Sequence, residues 1–598
     1  MNWKEAAKDS GQGFYTLQTA DTGSVPVRLF LTPKLLDEVE DSIYPQIVNA
    51  ASFPGVKLVA ITPDVHHGYG VPIGTVLLTD VASGAVAMGP VGYDIGCFAG
   101  ETRVPTLDGR SRSLRDLAEE GGEHWIFSLN PDQRIVAARA TARLTRRAAK
   151  LVRVTLDNGA TIECTPDHRF MLRNSTWSEA RSLSPADSLM PFSRAQPMLL
   201  AAGNHKPARI DRLDRTEDVY CLTVPQYGNF ALEAGIFVHN CGMMSASSEV
   251  PVSAATPENR LRFNRAVTER VALGPGKVSR TRLRSLTAKE FEAIVRGGAA
   301  YYAEHYGERV ERKRAERDRL PVDETWQPPW GGPGRPERGI PQLGTLGGGN
   351  HFIELQGNIK SDTLYVQMHS GSRGFGHGLA TNYFHLAKRE NPAIKALDLG
   401  YFTPESAHYR DYLNAVAAGG NFAIVNRLAM FEQIAEAFQE VFGKPLSLVY
   451  EISHNLVQRE HHPEFGEVHV HRKGATRAFP RGYDDPQAGH PILIPGSNRD
   501  SSFILRASEH ADRSGYSVNH GAGRRMSRGT ARKMFKQADV NAAYKEAGIV
   551  VNTDGVVPID ESKDVYKSSR EVVEAVIRAG LATIEHELVP LASLKGNE

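Results

Sequence analysis

At 598 residues the chain is too long for one ordinary core and requires several domains, each able to bury an apolar interior. A formal net charge of +1 with 23% charged residues excludes a global electrostatic drive toward nucleic acid, membrane or acidic substrate, so any such contact has to be local. The opening MNWKEAAKDSGQGFY has no apolar stretch and no run of about 18 apolar residues follows, so the expectation is a cytoplasmic protein without a membrane partner.

Residues 1–96 read as short strands with glycine turns, as in VKLVAITPDVHHGYG and VPIGTVLLTDV, with one helix expected over PKLLDEVEDSIYPQIVNAA. From 97 to 240 the character becomes all-β: KLVRVTLDNGATIECTPDHRFML and VYCLTVPQYGNFALEAGIFVHN are strand-like runs divided by Asn-Gly, Tyr-Gly and Ala-Gly turns. Residues 241–598 alternate helical stretches such as NRLAMFEQIAEAFQEVF with strands such as LYVQMHS and LSLVYEISH, a mixed α/β pattern. Within them AERDRLPVDETWQPPWGGPGRPERG is expected to be an exposed loop.

All four cysteines, Cys97, Cys164, Cys221 and Cys241, fall in one 145-residue window. A long chain with no export signal disfavours a disulfide framework, which leaves reactive or metal-binding thiols. Four features of the window occur in a telling order: Cys97 at its start, Thr165 and His168 in TPDHRF, Cys221 in VYCLTV, and His239-Asn240-Cys241 at its end. Together they resemble an intein, a self-excising Hint domain. The resemblance implies that Cys97 attacks the carbonyl of Gly96 to give a thioester, with Thr165 and His168 polarising the scissile amide and Cys221 at a position where the family has Asp or Cys. Cys241 then takes over the thioester, Asn240 cyclises with His239 assisting, and an S-to-N shift joins Gly96 to Cys241. The excised piece has 144 residues, the length of a minimal intein.

Removing Cys97–Asn240 leaves 454 residues and rejoins VGYDIG to CGMMSA. In that joined chain Asp94, Cys241, His351, His369 and His454 supply carboxylate, thiolate and imidazole, a mixed set that suits Mn, Fe, Co or Zn. Four glycines in GTLGGGNHF let backbone N–H groups approach phosphate, although a plain flexible turn explains the composition equally well. Arg373 and the cluster Arg472, Lys473, Arg477 and Arg481 offer contacts to RNA phosphates, with a solvated charged face as the alternative.

With TPDVHHGYGVPIG, GTLGGGNHFIEL, QMHSGSRGFGH, VYEISHN, HRKGATRAF, IPGSNRDSSF, HGAGRRMSR and LKG in order, the rejoined chain resembles the RtcB family of RNA ligases. The fold implied is an α+β, mixed α/β ligase domain, discontinuous at 1–96 and 241–598 and interrupted by the all-β Hint domain at 97–240. The resemblance implies two Mn²⁺, one held by Asp94, Cys241 and His351 and the other by Cys241, His369 and His454. It implies a GTP pocket from Asn350, His351, Phe352, Ile353, Glu354, His454, Asn455, Pro495, Gly496, Ser497, Asn498, Ser502, His520, Gly521, Ala522, Gly523, Tyr566 and Lys595. His520 would carry GMP covalently. The implied reaction, in tRNA splicing or RNA repair, joins 2′,3′-cyclic phosphate or 3′-phosphate RNA ends to 5′-hydroxyl ends, and an activating protein partner stays open. The alternatives are a metal-dependent RNA phosphoesterase and a non-catalytic RNA-binding scaffold, neither of which has a use for HGAGR. In the unspliced chain Cys97 stands at ligand spacing from Asp94, so the precursor is expected to be inactive as a ligase.

Overall fold

In the computed structural model the described residues are 3–68, 70–91, 98–99, 101–108, 111–129, 135–156, 161–164, 169–171, 177–180, 183, 187, 189, 206–223, 240–274, 277–327, 339–348, 350–394, 399–483, 487–526, 531 and 534–596. The chain divides into two compact units: Met1–Tyr93 with Asn240–Pro328 and Gly339–Asn597, and a second made chiefly of Asp94–His239.

Two sheets dominate the first unit. A seven-stranded sheet runs Ala7–Asp9, Tyr15–Leu17, Val27–Leu29, Val56–His66, Ile73–Asp80, Gly466–Lys473 and Asn455–His462, parallel only between its third and fourth strands. The other runs Ser447–Ile452, Asn240–Ser247, Thr363–Ser372, Phe352–Asn358, Ala582–Lys595, Ser502–Ala507 and Pro491–Ile494, with Val550–Val551 pairing alongside Ala582–Lys595. Because side chains alternate across a strand, the sheets are apolar on both faces and can be covered twice. Leu58, Ala60, Val76, Leu78, Val468 and Val470 meet Ile492, Ile494, Phe503 and Leu505 in one core. The intervening Val59, Ile61 and Leu77 turn to Leu35, Ile43 and Ile47 instead.

The 34-residue helix Tyr409–Phe442 is buried over most of its length, and Phe422 within it joins Phe291 and Phe375 in an aromatic cluster. The single helix expected over 33–51 is two, Pro33–Glu38 and Tyr44–Ala51. Each carries a proline in its first turn, where the missing N–H costs nothing, so the second proline starts a helix and does not extend the first. The expected loop after 315 begins inside a helix, Arg312–Asp318. Residues 328–338 lie outside the described residues. Among the described residues no helix is long and apolar enough to cross a membrane.

The second unit is β-rich apart from the helix Leu114–Glu120, whose N-cap Ser113 accepts from Asp116 N. Its sheet orders His124–Leu129, Ile135–Leu156, Thr161–Cys164, Phe98–Ala99 and Pro207–Thr223, with the two long strands also paired to each other. Val152, Val154, Ile162, Cys164 and Phe170 close over Leu114 and Leu117 in a core of their own.

Candidate active site

Four imidazoles from four separate segments converge in the first unit. The antiparallel register sets His369 opposite both Met243 and Phe352, so His351, next to Phe352, arrives beside it. Ring centroids of His351 and His369 are 5.2 Å apart, those of His369 and His454 5.1 Å, and those of His454 and His520 4.4 Å. The first three are buried. Burial holds His351, His369 and His454 well below the ordinary imidazole range, helped by Arg373 at His351, by His351 at His369 and by His520 at His454. These rings are neutral at physiological pH, which ligation requires.

Backbone carbonyls orient two of them. His351 Nδ1 lies 2.7 Å from Leu346 O and His369 Nδ1 lies 3.2 Å from Asn350 O, so both rings donate through Nδ1 and present Nε2 as a lone pair. His369 Nε2 faces His454 Nε2 across 3.0 Å. Among the described residues no group of three or more His, Cys, Asp or Glu forms a metal cradle. The convergence of two imidazole nitrogens on one point, with a carbonyl behind His369, does fit a shared divalent cation. Asp94 lies outside the described residues, as does the side chain of Cys241, whose backbone is in the strand Asn240–Ser247.

His520 is fixed differently. Its Nδ1 is 2.9 Å from Asp64 Oδ2 and 2.7 Å from Gly474 O, which leaves Nε2 as the nitrogen that carries the lone pair. Asp64 is fully buried, and its Oδ1 accepts from Thr62 Oγ1 at 2.6 Å. Gly523 (φ +74°) makes the close approach possible, because a Cβ there would sit 2.2 Å from Asp64 O. Sequence reasoning missed Asp64 although it stands in TPDVHHGYG; the available signal was a lone carboxylate inside an otherwise apolar strand.

Several candidate nucleotide residues sit on three neighbouring strands of the second sheet, Phe352, Ile353 and Glu354 on one, Lys595 on the next and Ser502 on the third. Phe352 and Lys595 are register partners, with Lys595 Nζ 5.4 Å from the Phe352 ring centre. Burial pushes the Glu354 carboxyl up to about 7 against the opposing pull of the Gln356 hydrogen bond and of Lys595. Ser502 Oγ accepts from Gln356 Nε2 at 2.9 Å and from Gly496 N at 3.1 Å, and Asn498 accepts from Tyr544 OH. Asn455 Oδ1 accepts from Gly474 N at 2.9 Å, and Gly521 O from Asn519 Nδ2 at 2.7 Å. Ile353, Pro495, Ser497 and Ala522 are buried, while Asn350 is exposed. Tyr566 and Lys595 meet at a residue not foreseen, the buried Glu561, which accepts from Lys595 Nζ at 3.0 Å, Tyr566 OH at 2.5 Å and Arg524 Nη1 at 3.2 Å.

One of the expected phosphate-binding cations, Arg472, is held in a structural ion pair instead. Arg472 is fully buried and forms a fork with Glu460, at 2.7 and 2.8 Å, because its strand lies between two others. Arg373 is buried under the glycine-rich loop, its Nε donating to Thr345 Oγ1 at 3.4 Å. Lys473 donates to Val71 O at 3.0 Å, Arg477 lies 3.6 Å from Glu460, and Arg481 is exposed.

Of the splicing candidates, Cys97, Thr165, His168 and His239 lie outside the described residues. Cys221 and Asn240 are in strands, their side chains outside the description. Phe98 pairs with both Cys164 and Tyr220, so the chain neighbours of Cys97, Thr165 and Cys221 share one sheet.

A family model described as tRNA-splicing ligase RtcB matches residues 46–205 and 218–596. The tRNA-splicing ligase RtcB of Archaeoglobus fulgidus is 33% identical over 392 residues, covering 60% of this chain and 80% of that protein. The RNA-splicing ligase RtcB of Mycobacterium tuberculosis is 35% identical over 286 residues, 44% of this chain and 66% of that one. For the Methanocaldococcus jannaschii relative, 35% identical over 292 residues, the match spans 44% of this chain but only 30% of the relative's length. Among solved structures, a DnaB intein from Synechocystis sp. PCC 6803 is similar at 22% identity, covering 24% of this chain and 99% of that one, with a TM-score of 0.21.

Proposed function

Because the chain belongs to the RtcB family, we propose that its first unit is a GTP-dependent RNA ligase joining 2′,3′-cyclic phosphate or 3′-phosphate ends to 5′-hydroxyl ends. The observation that carries this reading is the held imidazole of His520, with Nδ1 tied to Asp64 and Gly474 and Nε2 left free beside His454. Its Nε2 lone pair attacks the α-phosphorus of GTP; a P–N bond forms, the α–β P–O bond breaks, and pyrophosphate leaves. The positive charge gained by the ring is stabilised by the Asp64 carboxylate, which needs no proton transfer to do so. Where the RNA ends in a 2′,3′-cyclic phosphate, water first opens it to a 3′-phosphate; His520 then yields GMP to the 3′-phosphate as the P–N bond breaks, and the 5′-hydroxyl displaces GMP to close the phosphodiester.

Asp94, Cys241 and His351 would hold one Mn²⁺ and Cys241, His369 and His454 a second. Such ions would supply neutralisation of phosphate charge. On this reading Glu354 would accept from a guanine base and Lys595, whose Nζ lies 5.4 Å from the Phe352 ring centre, would donate to it. A chain incubated with Mn²⁺ and GTP gains the mass of one GMP, and His520→Ala abolishes that gain. An adduct that survives the substitution refutes the assignment of the nucleophile. Neither a phosphoesterase nor a binding scaffold forms such an adduct.

The segment Cys97–Asn240, which makes up most of the second unit, is on this reading a mini-intein that excises itself through Cys97, Cys241 and Asn240, with Thr165, His168, Cys221 and His239 assisting. Support comes from the sheet that gathers Phe98, Cys164 and Tyr220. It comes also from the boundary of the second compact unit at Asp94–His239.

A further inference from the structure

Between Lys277 and Lys289 the chain carries five cations, Lys277, Arg280, Arg282, Arg284 and Lys289, and no aspartate or glutamate, in a protein whose basic and acidic totals are 70 and 69. Local structure turns them outward. Ser279 and Leu283 are buried, and the exposed arginines at 280, 282 and 284 alternate with them. A 3-10 turn over Arg282–Ser285, capped by the Thr281 side chain, fixes that alternation.

Two of the cations are spent on backbone carbonyls: Arg280 donates to Thr268 O and Glu269 O, both at 2.6 Å, and Arg282 to Tyr306 O at 3.3 Å while lying over the Tyr306 ring. These contacts rigidify the segment and cancel no charge. Lys277, Arg284 and Lys289 are exposed and have no hydrogen-bond or ion-pair partner among the described residues.

The segment is anchored at the glycine-rich loop that leads to His351. Gly274 N donates to Gly347 O at 3.0 Å, and Ser279 N donates to Pro341 O at 2.7 Å. Gly596, next to Lys595, is packed so closely that a Cβ there would lie 2.1 Å from Gly347 O and 3.0 Å from Gly274 N. The start of the basic segment, the loop before His351 and the chain after Lys595 therefore meet at three glycines.

Resting on the ligase reading above, we propose that Lys277, Arg284 and Lys289 form a docking surface for the phosphate backbone of the RNA substrate, outside the reacting end. A run of exposed cations with no acid between them fits a polyanion. The only large apolar side chain exposed between Lys277 and Lys289 is Val278, so the segment itself supplies charge and no ring of its own for base stacking.

The test compares the full chain with the Lys277→Ala/Arg284→Ala/Lys289→Ala variant, using a fluorescent single-stranded RNA of about 20 nucleotides with a 5′-hydroxyl, titrated between about 50 and 200 mM salt. The variant is expected to bind about tenfold more weakly, with the slope of log affinity against log salt shallower by about 2, at unchanged melting temperature and unchanged GMP incorporation. Equal affinity and slope in the two proteins overturn the proposal. Failure of the unaltered chain to take up GMP instead overturns the ligase reading, whatever the RNA titration gives.

Discussion

One carboxylate decides what His520 can do. With Nδ1 shared between Asp64 and Gly474 O, the ring cannot flip to offer the wrong nitrogen. Asp64→Asn keeps the volume and removes the charge that stabilises the ring after attack. Guanylylation is expected to fall by about two orders of magnitude or more with GTP affinity unchanged, as single-turnover GMP incorporation would report. A second carboxylate sets a pH dependence. Glu354 in the fold titrates at about 7, above the ordinary 4.5, because it is buried. The folded state therefore holds the extra proton between those values, and this group's contribution to stability declines as pH rises through that window. A guanine base needs the ionised form as acceptor, so the KM for GTP should fall as pH rises through about 7. That dependence should vanish in Glu354→Gln; a pH-independent KM in the parent chain would exclude Glu354 as a base contact. The sequence made His351, His369, His454 and His520 legible because each sits in a compact motif. Asp64 and Glu561 were not: Asp64 meets His520 across 456 residues of chain, and Glu561 gathers Tyr566, Lys595 and Arg524 from three separate segments that only the fold brings together.

Strand position explains why the charge cluster was misread. HRKG looks like an exposed basic run, but the strand Gly466–Lys473 is flanked by Ile73–Asp80 on one side and Asn455–His462 on the other. Both of its faces are covered, so Arg472 is buried and meets Glu460 from the adjacent strand. Residue composition records the charge but not the number of neighbours a strand will have. Removing one partner of such a pair leaves an uncompensated buried charge. Arg472→Ala is accordingly expected to cost about 3–5 kcal/mol in chemical denaturation. A phosphate contact would behave otherwise, lowering RNA affinity and salt dependence at constant stability. The helix expected over 33–51 shows the reverse limit. Apolar periodicity runs through the region, while Pro45 at the first turn of the second helix resets the start.

At the scale of the whole chain, an all-β run over 97–240 interrupts mixed α/β sequence, and the second compact unit is made chiefly of Asp94–His239. The ligase sheet needs the strand Asn240–Ser247 between Ser447–Ile452 and Thr363–Ser372, so residues after the insertion are built into the same sheet that carries His369. Joining Gly96 to Cys241 would restore one continuous chain through that strand. Intact mass spectrometry of the expressed protein after incubation with Mn²⁺ and GTP tests this most directly. The account predicts a 454-residue species carrying one GMP, with Cys97→Ala/Asn240→Ala giving only the uncut chain. An unmodified 598-residue chain from the unaltered sequence, indistinguishable in length from that control, would contradict it.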